Sequence, residues 1–149
     1  MNIYQTLHSH LYKAMKEQDV ARKRVLRLLL SSLKFAEVAK GSELDETEVL
    51  GIIQKEIKTK NETLADARKA NRQDLIEESE DDIRILEEYL PEQISPEELH
   101  QVANQVIEGM GATSIKDMGN VMKILIARLA GSATNQDASK AVRDILQNK

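Results

Sequence analysis

Five cations late in the chain, Lys116, Lys123, Arg128, Lys140 and Arg143, are the side chains whose type and spacing best suit a chemistry, and that chemistry is contact with phosphate. They are five of the six Lys and Arg residues after Pro91. Ser114 and Thr134 mark two helix starts among them, and the free amides of a helix N-terminus favour anions. No base-reading motif accompanies the set, so ordinary surface lysines describe it as well as a nucleic-acid face does. A second set lies upstream. Lys23, Arg27 and Lys34 follow one another at steps of four and seven, which at about 100° per residue returns them to nearly one azimuth. This basic stripe suits phosphate contact or pairing with Glu56 on the next helix, and intramolecular ion pairing with snorkelling over the core is the commoner role of such a stripe.

Other chemistries find less support. His8 and His10 are two residues apart and fall on different faces of a helix, unlike an i, i+4 metal-binding pair, and His100 stands alone. All three read as surface residues. The acidic run Glu77, Glu78, Glu80, Asp81, Asp82, Glu87 and Glu88 shares one helix and alternates with its apolar stripe. That is a solvated face rather than a convergent metal or acid–base site. No serine sits in a Gly-flanked elbow or in a Ser-x-x-Lys arrangement with supporting partners, and there is no cysteine for a thiol nucleophile, a disulfide or a thiolate-bound metal. The expectation is no catalytic residue, no metal and no cofactor.

The elements that must position these residues are helical. Hydrophobic residues make up 41% of the chain but aromatics only 3%, so the core must be aliphatic, which suits helix-on-helix packing. Scarce aromatics also weaken any stacking platform for single-stranded nucleic acid. With 21 basic and 25 acidic residues the net charge is −4, so nucleic acid would be held locally and not by bulk charge. The first five residues show no basic stretch leading into an apolar run, and no window approaches a membrane span, so a cytoplasmic protein without membrane contact is expected.

Ile3, Leu7, Leu11 and Met15 predict a first helix. Asp19 caps a second, with Leu26, Leu29, Leu30, Leu33 and Ala36 facing inward and Gly41 as its stop. Asp45 with Glu48 opens a third over Val49, Ile52, Ile53, Ile57 and Leu64; Asn71 and Asp74 suggest a break before a fourth, Leu75 to Leu90, whose stripe is Ile76, Ile83, Leu86 and Leu90. Pro91 then ends the helical run. Ser95-Pro96-Glu97-Glu98, Ser114 with Asp117, and Thr134 with Asp137 start three shorter helices, the first closed by Gly109 and Gly111 and the second by Gly131. The fold class is all-α: a helical N-terminal domain of about four helices, residues 1–90, followed by a small three-helix C-terminal domain, residues 91–149.

Short motifs in order along the chain resemble the YqeY-like family: Arg27 to Ser31 with Lys34, Gln54 to Lys58, Arg72-x-Asp74-Leu75, Tyr89-Leu90-Pro91-Glu92-Gln93, Lys116 to Gly119, and Gly131-x-Ala133. The resemblance implies a helical fold of two parts. The second part is similar to the tail of the B subunit of glutamine-dependent aspartyl/glutamyl-tRNA amidotransferase, where the tail helps hold tRNA and the chemistry lies in other domains. The family pattern places a basic residue after the glycine, and here Ser132 follows Gly131. The resemblance therefore implies a non-catalytic module associated with tRNA, weakly and through its backbone, or with a protein partner of the translation or amidotransferase machinery. Two alternatives stand beside it: a protein–protein interaction module without RNA binding, and an accessory of carbon–nitrogen ligase activity with glutamine as amido-N-donor.

Overall fold

Helix starts in this chain are written by capping residues. In the computed structural model, which describes residues 2–149, the Asn2 side chain accepts from the Gln5 amide at 2.9 Å and the Gln5 carboxamide accepts from the Asn2 amide, opening α1, Ile3–Lys16. Asp19 caps α2, Val20–Lys40, through the Arg22 amide, and Gly41 ends it at φ 82°, a left-handed value that costs glycine nothing. The reciprocal Asp45 and Glu48 bonds open α3, Glu46–Lys69. Asn71 breaks the chain at φ 53° before α4, Gln73–Glu87, which has no side-chain cap of its own.

In the remainder, Ser95 accepts from the Glu98 amide and Pro96 takes the first position of α5, Pro96–Met110, which Gly111 ends at φ 68°. A 3₁₀ turn, Ile115–Asp117, leads into α6, Met118–Leu129. Thr134 accepts from the Asp137 amide to open α7, Asn135–Gln147. The fold is all-α, and no strand occurs among the described residues.

The helices form two compact units, Met1–Leu90 and Pro91–Lys149. In the first, α2 packs on α1, α3 and α4 around Leu7, Leu26, Leu29, Leu33, Val49 and Ile53, all at most 1% exposed. In the second, α5, α6 and α7 pack mutually around Ala103, Val106, Ile107, Val121, Leu125, Ala138 and Val142. Both cores are aliphatic, and each fully buried Leu or Ile contributes about 1.5–3 kcal/mol of transfer free energy.

Three expectations need correcting. The later helices are not uniformly shorter, since α5 has 15 residues while α1 has 14 and α4 has 15; only α2 and α3 are long. Helix α6 is closed by Ala130, itself left-handed at φ 48°, with Gly131 following at φ 87°. The stripe of α4 is turned from the expected one, burying Ser79, Asp82, Ile85 and Leu86, with Ile83 only partly covered.

Candidate nucleic-acid interface

The five C-terminal cations are all exposed, and none makes an ion pair. Their positions nevertheless diverge. Lys123 and Arg128 stand about 140° apart around α6, whereas Lys140 and Arg143 lie within about 60° of each other on the outer face of α7. Lys116 sits in the 3₁₀ turn ahead of α6. The helix starts are also less open to an outside anion than the capping pattern implies. The Asp117 carboxylate accepts from the Thr113 and Ser114 amides at 3.0 and 3.4 Å, so the chain supplies its own negative charge there, and Asp137 occupies the first turn of α7.

Lys140 lies on the rim of a depression of about 440 Å³ whose lining includes Gln93, His100, Ser132, Asp137 and Asp144. Its floor is a braced turn. Gln93 Nε2 donates to the carbonyls of Pro91 and Gly131, both at 2.9 Å, and the Ile94 amide donates to the Ser132 carbonyl at 3.0 Å. Ser132 donates its hydroxyl to the Leu129 carbonyl at 2.6 Å and so satisfies a helix-end acceptor.

In the first unit the basic stripe behaves differently from its neighbours. Arg27 and Lys34 are exposed, Lys23 is half-buried, and none of the three makes an ion pair. The expected Glu56 contact goes elsewhere, to the Ser32 hydroxyl at 2.9 Å. The cations of α2 that do pair are Arg22, Arg24 and, at its last position, Lys40, which meets Glu48. Arg22 grips Glu88 with both guanidinium nitrogens at 2.7 and 3.1 Å, and that hydrogen bonding holds the Glu88 carboxyl below its ordinary value. Arg24 reaches Asp82 at 2.6 Å, and Lys60 of α3 reaches the other oxygen of the same carboxylate at 3.0 Å.

Asp82 is 1% exposed, which overturns its place in a solvated acidic face. A carboxylate so buried needs both cations, and between them they tie α2, α3 and α4 together. The signal was present in the spacing. Asp82 falls three residues before Ile85 and three after Ser79, on the azimuth that α4 turns inward.

The histidines take separate environments. His10 Nδ1 lies 2.7 Å from the Tyr89 hydroxyl, with the rings 5.5 Å apart, so the first residue of the Tyr89–Gln93 motif anchors on α1. His8 lines a pocket of about 710 Å³ with Tyr4, Lys34, Glu37, Glu43 and Glu46. There burial, reinforced by Glu37 and Glu43, pushes the Tyr4 hydroxyl up to about 12. Among the described residues no group of three or more His, Cys, Asp or Glu is placed to hold a metal, and no helix is long and apolar enough to cross a membrane.

The family described as Yqey-like protein matches residues 4–146, nearly the whole chain. The chain belongs to that family. Among curated relatives, it is 30% identical over 119 residues to the mitochondrial protein of Vanderwaltozyma polyspora named altered inheritance of mitochondria protein 41, a match covering 75% of this chain and 64% of that protein. The protein of the same name in Lachancea thermotolerans is 38% identical over 85 residues, covering 56% of this chain and 46% of the relative. That of Pyrenophora tritici-repentis aligns over 146 residues at 21% identity, 96% of this chain and 80% of the relative. The chain thus spans about half to two thirds of the first two relatives. The Yqey-like match takes in both helical units, so the braced Gln93 turn, the Tyr89 anchor and the unpaired cations all lie within the family's extent.

Proposed function

We propose that this Yqey-like chain is a binding module that works without catalysis of its own, its residues 91–149 meeting the backbone of tRNA weakly. One observation carries the reading: every cation singled out in that unit is exposed and unpaired, although acidic residues are as frequent there as basic ones. The similarity of this part to the amidotransferase B-subunit tail supports tRNA as the polyanion. Lys140 with Arg143 forms the centre of contact because they share a face, while Asp137 and Asp144 beside them keep the attraction small. About two to four phosphates are neutralised, each contributing a salt slope of order one or less.

The test is tRNA affinity at two salt concentrations. Lys140→Ala with Arg143→Ala weakens binding to all tRNAs alike and flattens the salt slope, and Lys123→Ala with Arg128→Ala does so less. Ser132→Lys adds the family's cation and tightens binding modestly, while losing the bond to Leu129, at a cost of about 1 kcal/mol in stability. Affinities that ignore all of these changes would overturn the reading. In the same proposal 1–90 and 91–149 are separately folding domains, and limited proteolysis cuts first between 91 and 95 or between 41 and 45. The protein–protein alternative is favoured by a different observation, on α2.

A further inference from the structure

Helix α2 carries large apolar side chains that nothing in its own unit covers. Phe35 is 79% exposed, Val38 76% and Leu28 53%. At 100° per residue, Leu28, Ser31, Phe35 and Val38 lie within an arc of about 80°, turned away from the buried Leu26, Leu29 and Leu33. That is the i, i+3, i+7, i+10 spacing by which one helix receives another.

The charges flanking this strip are mostly cationic, Arg27, Lys34 and Lys55 against the one carboxylate of Glu56. The only carboxylate of α2, Glu37, faces the pocket of Tyr4 on another side of the helix. Arg27 and Lys34 run unpaired along one flank. On the other flank a groove of about 410 Å³ separates α2 from α3, walled by Phe35, Ala36 and Ile52, with the exposed and unpaired Lys55 at its far edge. Glu56 in the same groove accepts from the Ser32 hydroxyl at 2.9 Å and keeps its negative charge, which the three flanking cations outweigh.

We propose that this strip and groove dock an acidic amphipathic helix of a partner protein. Apolar residues one turn apart on that helix cover Leu28, Phe35 and Val38, and carboxylates along its two edges meet Arg27 and Lys34 on one side and Lys55 on the other. The arrangement discriminates among occupants. A phosphate backbone satisfies the cations but leaves Leu28 and Val38 in water, a lipid surface is too flat to enter a groove, and a second copy of α2 would set cation against cation. The strip belongs to residues 1–90 and the α7 cations to residues 91–149, so the tRNA reading is tested by different substitutions and stands or falls independently of it.

The experiment uses the full chain and four probes: a stapled peptide of about three heptads with Leu at its core positions and Glu at its flanks, the same peptide with Lys at its flanks, bulk tRNA, and vesicles of phosphatidylcholine with phosphatidylglycerol. The Glu peptide binds at least about tenfold tighter than its Lys twin, and backbone amide shifts change in 28–38 and 52–56. Leu28→Ala with Phe35→Ala weakens it at least about tenfold without altering the circular dichroism, since both side chains are exposed. Arg27→Glu with Lys34→Glu reverses the preference between the peptides, and Lys140→Ala with Arg143→Ala leaves it unchanged. Equal binding of the two peptides, no binding of either, or insensitivity to Phe35 overturns the proposal. So does tRNA or vesicle binding through these same residues, or a concentration-dependent dimer that Phe35→Ala dissolves.

Discussion

Residues 1–90 and 91–149 both pack helices around an aliphatic core, yet every ion pair among the described residues lies in the first. The first unit buries a carboxylate, Asp82, and must bring Arg24 and Lys60 to it. The second buries no charged residue, and is finished by bonds to backbone: Ser95, Asp117 and Thr134 accept from amides within four residues, and Gln93 donates to the carbonyls of Pro91 and Gly131. The difference teaches where charge is free to act outward. Cations held by internal carboxylates are structural, whereas those of the second unit, and the strip of α2, remain available to a partner.

The sharpest way to break this comparison is Asp82→Ala. It strands Lys60 and leaves Arg24 only its 3.5 Å contact with Glu78, both cations being about a third exposed and so partly able to rehydrate, and destabilises the first unit by about 2–4 kcal/mol. Urea unfolding followed by tyrosine fluorescence reads this unit alone, because Tyr4, Tyr12 and Tyr89 all lie in it and 91–149 contains no Tyr, Phe or Trp. A loss below about 0.5 kcal/mol would make the network ordinary surface pairing. Changing Asp82 to Leu together with Arg24 and Lys60 to Met should recover most of the loss, since apolar replacement of a whole buried ion cluster is often neutral.

Dependence on pH should divide the same way. Glu88 is held low by Arg22, Asp45 by the Glu48 amide and Asp74 by Arg72. Stability from these depressed carboxylates is full above their ordinary values and is lost as pH falls from there through the folded ones. At the alkaline end Tyr4 keeps its proton longer when folded, so stability is full below pH 10 and declines as pH rises from 10 to about 12. Tyr89, also raised, chiefly by burial, adds to that decline. Hydrogen exchange across this range should loosen amides of 1–90 before those of 91–149, and Tyr4→Phe should blunt the alkaline half. Simultaneous loosening of both units would contradict the division.

The smallest expected effect lies in the second unit. Ala130 holds a left-handed backbone without a glycine's freedom, and it is exposed, so Ala130→Gly removes strain without leaving a hole. After the added disorder of the unfolded chain, a net gain of about 0.5–1 kcal/mol remains, visible as a raised unfolding midpoint for 91–149. No gain would mean that the turn is not strained.

The helices were legible because their ends are local chemistry: Asp19, Asp45 with Glu48, Ser95 with Pro96, Thr134, Gly41 and Gly111 act on amides and carbonyls within four residues. The two cores followed from helical periodicity for the same reason. What the sequence withheld was tertiary. Arg22 and Arg24 look no different from Arg27 and Lys34 until α4 presents Glu88 and Asp82 to two of them. Asp82 lies in a run of carboxylates whose other members stay at the surface, several of them in ion pairs, so composition concealed what the 79, 82, 85 spacing would have revealed. Ala130 was not legible because Gly131 follows it, and glycine is the residue type expected to end a helix in the left-handed conformation.

The Gln93 brace bears on how this chain can vary in length. Both hydrogens of one carboxamide nitrogen are committed, to Pro91 and to Gly131, and the next residue holds Ser132. An extra residue between Leu129 and Thr134 would carry Gly131 out of reach and free all three bonds together, so insertions are barred from this connection. The exposed stretch from Gly41 to Glu43 answers to only one such tether, the Lys40 ammonium on the Glu43 carbonyl, and is the place where the chain can be lengthened.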